Sequence, residues 1–218
     1  MLSQTEENYL KAIYSIGISN AKNINTTLIS RKLKTKPSSV TDMIQKLAEK
    51  DLIYYEKYKG VTLTQSGKKI AIDIVRKHRL WEVFLVNKLN YNWDEVHEMA
   101  EQLEHIKSDT LVGRLEAFLD FPKHDPHGDP IPDENGNIAQ HKNVMLSSLE
   151  INSSGIVIGV KDSSSSFLQF LDNSNIKLGD TIKVIAKEDY DNSILIENKL
   201  QTKSISQQIS ANLFVKKI

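Results

Sequence analysis

Four of the five prolines in this 218-residue chain lie close together, at Pro122, Pro126, Pro130 and Pro132. Proline has no backbone N–H and a fixed φ, so this segment can form neither a regular helix nor a central strand. Before it, apolar residues recur at helical spacing, whereas from Val144 onward the chain consists of short β-prone runs. A domain boundary is therefore predicted within this segment or just after it.

Three helices are predicted before residue 50. The first begins at Ser3 or Thr5, because Ser3 and Glu6 have the spacing of a capping box. A short second helix covers about 27–33, and a third begins near Pro37, a residue that suits the first helical turn. The third helix has one apolar stripe, formed by Val40, Met43, Ile44 and Leu47. This arrangement is typical of a helix-turn-helix.

Residues 52–64 contain two β-prone segments around Lys59-Gly60, which predicts a hairpin and hence a winged helix. Residues 1–70 contain 12 Lys and Arg against 6 Asp and Glu, whereas the whole chain has no net charge. A basic winged helix favours DNA binding, with a protein–protein element as the alternative. The candidate DNA contacts are Lys34, Lys36, Pro37, Ser38, Ser39, Thr41, Gln45, Lys46, Lys57 and Lys59.

The middle of the chain is acidic, with 6 Lys and Arg against 10 Asp and Glu in residues 71–120. One helix is predicted from Gln65 to about Leu89, and a second from about Asp94 to Asp120. At about 100° per residue, one face of the second helix carries four polar side chains, namely His97, Glu101, Glu104 and His105. On the first helix, His78 and Glu82 are one turn apart and share a side.

Two interpretations fit this acidic face. The carboxylates could simply form a solvated surface, as they do in most acidic helices. Here, however, two imidazoles lie among them, and no Lys or Arg occurs between Asp94 and Ile106. Clustered carboxylates repel one another unless a cation is present, so a metal site is an equally supported prediction.

The chain has no cysteine, which excludes disulfides, thiolate catalysis and Cys-ligated zinc or iron–sulfur sites. Any metal would therefore be held by imidazole, carboxylate or amide groups. A metal-dependent hydrolase is weakly supported, because residues 101–105 differ from the inverted zinc-protease motif and no nucleophile-elbow or phosphate-loop motif is present. His124, His127 and His141 are assigned to loops or the connector.

The C-terminal β-prone runs, at 156–160, 181–186, 193–197 and 213–217, predict a small barrel of about 70 residues. One helix, about 164–171, is expected among them. The predicted fold class is therefore mainly α with a small β component, and the predicted domains are 1–70, 71–143 and 144–218.

Several spaced motifs resemble, in order, the diphtheria toxin repressor family of metal-dependent transcription regulators. They are the winged helix, Arg76-Lys77-His78-Arg79-Leu80, Val96-His97-Glu98, Leu103-Glu104-His105-Ile106 and Pro126-His127-Gly128-Asp129-Pro130-Ile131-Pro132. The resemblance spans the whole chain and implies a winged helix, a helical dimerisation and metal-binding domain, and an SH3-like barrel.

The resemblance also implies two metal sites. His78, Glu82 and His97 match the ligands of an ancillary site, and Glu101, Glu104 and His105 match those of a primary site. The family adds a primary ligand at position 8, usually Met or Asp, and this chain has Asn8 there. Lys11 stands where the best-known manganese-type members have another carboxylate. Asp162 is a candidate for a ligand that some members donate from the third domain.

The sequence thus predicts a homodimeric repressor that binds a double-stranded DNA operator of metal homeostasis genes when Mn(II) or Fe(II) is bound, with Zn(II) or Co(II) as surrogates. The alternative is a metal-buffering or delivery protein that uses the winged helix as a protein interface. No enzyme activity or small-molecule substrate is expected. A cytoplasmic location without a membrane partner is expected, since no long apolar stretch or signal peptide is evident.

Overall fold

The computed structural model describes residues 2–18, 24–56, 60–138, 144–199 and 201–218. In these ranges the α-helices are α1 Gln4–Ile18, α2 Thr26–Lys32, α3 Pro37–Glu49, α4 Gln65–Leu89, α5 Val96–Leu103, α6 Asp109–Phe118, α7 Ser165–Asn173 and α8 Gln207–Ser210. The strands are β1 Ile53–Glu56, β2 Gly60–Leu63, β3 Val144–Met145, β4 Ser154–Val160, β5 Thr181–Lys187, β6 Ile194–Asn198, β7 Gln201–Ile205 and β8 Leu213–Lys217.

The structure divides into two compact units that do not follow the chain order. The first contains the residues up to His78 together with Glu101–Val112 and Pro132–Ile138. The second contains Arg79–Ala100, Gly113–Ile131 and the C-terminal β-rich segment. None of the described helices is both long and apolar enough to cross a membrane.

The first unit contains the winged helix that the sequence predicts. The capping box begins α1, because the Ser3 N–H donates to Glu6 Oε2 at 3.0 Å and the Glu6 N–H donates to Ser3 Oγ at 3.3 Å. Asn25 caps α2, and Lys34 turns the chain towards α3 with a left-handed φ of 50°. The apolar stripe of α3 is buried at Val40, Ile44 and Leu47.

The wing is an antiparallel hairpin in which Ile53 pairs with Leu63 and Glu56 pairs with Gly60. Ile53 and Val61 point into the core of the first unit, whereas Tyr54, Tyr55 and Glu56 are exposed. Lys57 and Lys59, predicted to contact DNA, lie outside the described residues, as does His141.

The prediction of one continuous acidic helix from Asp94 to Asp120 is wrong. The chain forms α5, a turn at 104–108 and then α6. The turn tightens where the Ile106 N–H donates to the Leu103 carbonyl at 3.1 Å, and Ser108 starts a new helix by accepting from the Leu111 N–H at 3.3 Å. The helix-face argument therefore holds only up to Leu103.

The second unit contains a six-stranded antiparallel sheet with the order β3-β8-β4-β5-β6-β7. Bulges between Val157 and Gly159 and between Val184 and Ala186 interrupt its register, which favours the curvature of a barrel. Leu168 and Leu171 of α7 are buried in its core with the inward residues of the strands. The SH3-like fold class is confirmed.

The Pro-rich segment packs against β4 of the same unit. The Val160 N–H donates to the His127 carbonyl at 2.8 Å. Gly128 has a φ of 88°, and a Cβ there would lie 2.0 Å from the Ile158 carbonyl oxygen. Only glycine fits this position, because both the conformation and the close approach exclude a side chain.

Candidate metal centres

The first centre, called the primary cluster, lies within the first unit. It combines side chains of α1, α4 and α5 with two from the turn that follows α5, and its members are Glu7, Lys11, His78, Glu101, Glu104 and His105. The break after Leu103 frees Glu104 and His105 from helical geometry. Both side chains can therefore turn inward.

Glu104 is the middle of the primary cluster, and its side chain is fully buried. Its Oε2 lies 2.6 Å from Lys11 Nζ and 2.6 Å from His78 Nδ1. Its Oε1 accepts no hydrogen bond from the described residues and lies 3.8 Å from His105 Nε2. A buried carboxylate oxygen without a donor is an unmet site for a cation or proton.

The side chain that α1 contributes to the primary cluster is Glu7, next to the predicted ligand Asn8. Asn8 is exposed, whereas the neighbouring Glu7 is buried and its Oε2 lies 2.6 Å from His105 Nδ1. Glu7 was missed because the resemblance pointed to position 8. The burial of an acidic residue between apolar positions of α1 is visible only in the structure.

Glu101 and His78 are also part of this cluster, in different ways. Glu101 lies at its edge, with a 54% exposed side chain and an Oε1 that is 3.9 Å from Lys11 Nζ. His78, assigned by the resemblance to the ancillary set, contacts Glu104 of the primary set through Nδ1. Glu82 follows His78 by one turn of α4.

The second centre, called the loop cluster, lies within the second unit and consists of Glu82, Asp125 and His127. One ligand atom of each residue lies within 4.8 Å of the others, and all three are buried. His97 extends it, since its Nδ1 is 3.4 Å from Glu82 Oε1. His127 does lie in the connector, as predicted, but its side chain joins this cluster.

Two backbone N–H groups orient the carboxylate of Asp125. Its Oδ1 accepts from the N–H groups of His127 at 2.8 Å and Asp129 at 3.0 Å. Burial and the nearby charges of Glu82 and Asp129 raise the pKa of Asp125 to about 7. A carboxyl with so high a pKa ionises readily only when positive charge is nearby.

The imidazole of His127 lies between two groups. Its Nδ1 lies 3.5 Å from Glu82 Oε2, and its Nε2 lies 2.8 Å from the Trp93 carbonyl oxygen. Burial alone would lower its pKa, but Glu82 and Asp125 raise the pKa of His127 to about 9. The carboxylates thus retain a proton on His127 when no other cation neutralises them.

The donor chemistry of both clusters fits a hard divalent cation. Each combines carboxylate oxygens with imidazole nitrogen and contains no sulfur, the ligand type that suits Mn(II) and Fe(II). In the primary cluster Glu104 Oε1 has no hydrogen-bond partner among the described residues, and in the loop cluster two carboxylates surround His127. Asp162 lies outside both, and its Oδ1 accepts from the Ser164 N–H at 2.9 Å.

The predicted DNA-contacting residues within the described ranges lie in the turn before α3 and in α3 itself. Thr41 is half-buried and donates to the Pro37 carbonyl at 3.1 Å. The other side chains are exposed along the turn before α3 and the outer face of α3, at Lys34, Lys36, Pro37, Ser38, Ser39, Gln45 and Lys46. A polar, basic helix surface of this kind can enter the major groove.

Comparisons with known proteins agree with this architecture. The chain matches three family models: "Iron dependent repressor, N-terminal DNA binding domain" over residues 1–61, "Iron dependent repressor, metal binding and dimerisation domain" over 64–133, and "FeoA domain" over 144–217.

Two relatives illustrate the similarity. The uncharacterized HTH-type transcriptional regulator MJ0568 of Methanocaldococcus jannaschii is 39% identical over 119 residues, which are 55% of this chain and 95% of that protein. The iron-dependent repressor IdeR of Mycobacterium tuberculosis is 31% identical over 131 residues, which are 60% of this chain and 56% of IdeR.

Among solved structures, a manganese-dependent transcriptional repressor in complex with manganese is 32% identical and superposes with a TM-score of 0.85. The superposition covers 98% of this chain and 100% of that one. Its likeness extends over the winged helix, the metal-binding helices and the C-terminal sheet together. The chain therefore belongs to the iron-dependent repressor family, also called the diphtheria toxin repressor family, of metal-dependent transcription regulators.

Proposed function

We propose that this protein is a repressor whose operator binding requires a divalent cation at the primary cluster. The observation that carries the proposal is the pair Glu7–His105, at 2.6 Å, which joins the first helix of the winged-helix region to the turn after α5. The helix α3, which is predicted to read DNA, belongs to the same compact unit. The primary cluster is therefore placed to fix the arrangement of the helices that read DNA.

Glu7, Glu101, Glu104 and His105 would hold the cation, and Asn8 stays a further candidate through its amide oxygen. A bound divalent cation would add a ligand partner for Glu104 Oε1, which accepts no hydrogen bond from the described residues. The buried side chain of Glu104 is held in one position, whereas the exposed side chain of Glu101 can move to complete the set of ligands. Ligand atoms from α1 and from the turn after α5 then favour one conformation over others, which is how binding shifts a population.

The loop cluster supports a second cation site formed by Glu82, Asp125 and His127, with His97 at its rim. This set differs from His78, Glu82 and His97, which the resemblance implies and which remains a prediction. The loop set has two buried carboxylates and one imidazole, with Asp125 already oriented by backbone N–H groups. Preorganised ligands lose less entropy on binding than mobile ones.

Mn(II) or Fe(II) fits these oxygen and imidazole donors, and Zn(II) or Co(II) would serve as surrogates. The absence of cysteine removes the soft ligand that would favour zinc or iron thiolate binding. Glu101 stands where, by the resemblance, iron-type members of the family carry a thiolate and manganese-type members carry a glutamate, which supports manganese over iron.

A homodimer is proposed on the basis of an apolar surface in the second unit. Leu89, Phe118 and Phe121 have exposed fractions of 52%, 62% and 53%. Phe118 lies beside the end of α4, since Lys88 Nζ is 5.0 Å from its ring centroid, and exposed apolar side chains there support a protein interface. Two copies would present two α3 helices to the half-sites of an operator. In this scheme residues 1–70 read DNA, 71–143 bind metal and dimerise, and 144–218 form the third domain.

The test is selection of double-stranded DNA from a random pool by the purified full chain, with and without MnCl2, followed by titration of the selected sequence. Specific binding that needs Mn(II) and is lost in His105→Ala, but kept in Glu95→Ala, supports the proposal. Glu95 is an exposed residue just before α5 that neither cluster includes. Metal binding without any metal-dependent selection of DNA would instead favour a buffering or delivery protein.

A further inference from the structure

Lys11 projects from α1 into the centre of the primary cluster. Among the described residues it is the only basic side chain in contact with Glu104, apart from His78 and His105. Its Nζ lies 2.6 Å from Glu104 Oε2, 3.2 Å from His78 Nδ1 and 3.9 Å from Glu101 Oε1. One ammonium group thus contacts two carboxylates and an imidazole. Its side chain is 17% exposed, so it is largely withdrawn from water.

The burial of Glu104 explains why the Lys11 ammonium lies beside it. The side chain of Glu104 is fully buried, and an isolated buried carboxylate is strongly unfavourable. Lys11 supplies the compensating charge at hydrogen-bond distance. Glu101 is too far from Lys11 for a hydrogen bond and is half in solvent, so Glu104 is the partner that needs this charge.

Two of the residues that Lys11 contacts, Glu101 and Glu104, are proposed ligands of the divalent cation. Glu104 Oε2 already accepts from the ammonium and Oε1 is the open oxygen, so a metal ion held by Glu104 would lie close to Lys11 Nζ whichever oxygen it used. A lysine ammonium and a divalent cation in the same small site also repel each other. The two cations are therefore alternatives at Glu104.

We propose that Lys11 is an internal counter-cation that the activating metal must displace from Glu104, and that it thereby sets the metal concentration at which the repressor responds. This inference rests on the proposed function of the primary cluster. In the metal-free protein Lys11 stabilises the buried carboxylate. When metal binds, the flexible four-carbon stem of Lys11 allows the ammonium to leave towards solvent.

A second lysine offers a matched comparison. Lys107 Nζ lies 3.5 Å from Glu7 Oε1, but its side chain is 40% exposed. Lys107 therefore adds the same formal charge near the cluster, and solvent screens it. If charge alone mattered, removal of either lysine would raise the affinity for Mn(II) by a similar factor. If displacement matters, only removal of Lys11 raises that affinity strongly.

The experiment is calorimetric titration of the full-length protein with MnCl2, in a chelator-competition format, for wild type, Lys11→Met and Lys107→Met. Lys11→Met is expected to bind Mn(II) about 10- to 100-fold more tightly, because the ion no longer has to break a largely buried contact. Lys107→Met is expected to change the affinity less than about threefold. Unchanged or weaker binding by Lys11→Met, or equal gains in both variants, would overturn the inference.

A measurement on the wild type covers the case in which Lys11→Met fails to fold. The ¹⁵N signal of the Lys11 ammonium, assigned by its loss in Lys11→Arg, is expected to be protected from exchange in metal-free protein. That protection should disappear when the diamagnetic Zn(II) is added. Protection that persists at saturating Zn(II) contradicts displacement.

Failure of the two proposals can be told apart. If wild type binds Mn(II) and His105→Ala does not, but Lys11→Met is unchanged, only the role of Lys11 is refuted. If His105→Ala binds Mn(II) as wild type does, the assignment of the primary cluster itself is wrong.

Discussion

Glu104→Gln is the most informative single change, because it keeps the shape of a fully buried side chain and removes only its charge. In metal-free protein it leaves the Lys11 ammonium without its carboxylate at 2.6 Å. Breaking a buried ion pair from one side costs about 3–5 kcal/mol, and the partial exposure of Lys11 reduces the expected loss of unfolding free energy to about 2–3 kcal/mol.

The same substitution weakens metal binding. Removing groups that merely orient a ligand costs about 10- to 100-fold in metal affinity, so loss of a ligand carboxylate should cost about 100-fold or more. At a Mn(II) concentration about 100 times the wild-type Kd, wild type gains about 2.7 kcal/mol of stability and the variant about 0.4 kcal/mol. The loop cluster is intact in both proteins, so its contribution cancels in the comparison.

Urea unfolding with EDTA and with MnCl2 measures both effects, and operator titration measures the functional one. Glu95→Gln is the control, because Glu95 is an exposed acidic residue just before α5 whose Oε2 makes only a 3.4 Å contact with the Asn92 N–H. If Glu104→Gln retains wild-type operator affinity at saturating Mn(II), Glu104 is not a ligand and the primary cluster is misassigned.

Three further predictions follow from the sites. If each half-site neutralises about three phosphates, a plot of log affinity against log salt should have a slope on the order of −5, and a flat plot would mean that the basic first third does not face DNA. The raised pKa of His127, about 9 against 6.5, gives metal-free protein stability that is present below pH 6.5 and lost as pH rises through 9. Its Tm in EDTA should therefore fall over this range, and His127→Gln should flatten the fall. Glu101→Cys adds a soft thiolate and should shift preference from Mn(II) towards Fe(II), Co(II) and Zn(II), and an unchanged metal order in competition titrations would count against Glu101 as a ligand.

Local signals made the DNA-binding region predictable from sequence. The capping box at Ser3, the proline at position 37 and the apolar stripe of α3 each act within one or two helical turns. The bounds of α4 and β8 were predicted on the same basis. β7 was missed, because four of its five residues are exposed and polar and therefore show no alternating pattern.

The candidate sites depend on contacts between residues that are distant in sequence, and these were predicted only in part. The helix-face argument selected Glu104 and His105 and the family motif also contains them, although neither residue lies in α5, which ends at Leu103. The roles of Glu7, Lys11 and Asp125 follow from how α1 and the Pro-rich segment pack. No periodicity in the sequence encodes such packing, so the structure was needed to identify them.

The contact between Gly128 and β4 has a consequence for how this chain can evolve. A residue larger than glycine at position 128 would collide with the Ile158 carbonyl, and a Cβ at Gly159 would lie 3.0 Å from the His127 carbonyl oxygen. The two glycines therefore constrain each other across a gap of thirty residues. A substitution at either Gly128 or Gly159 is therefore expected to move the loop that carries Asp125 and His127.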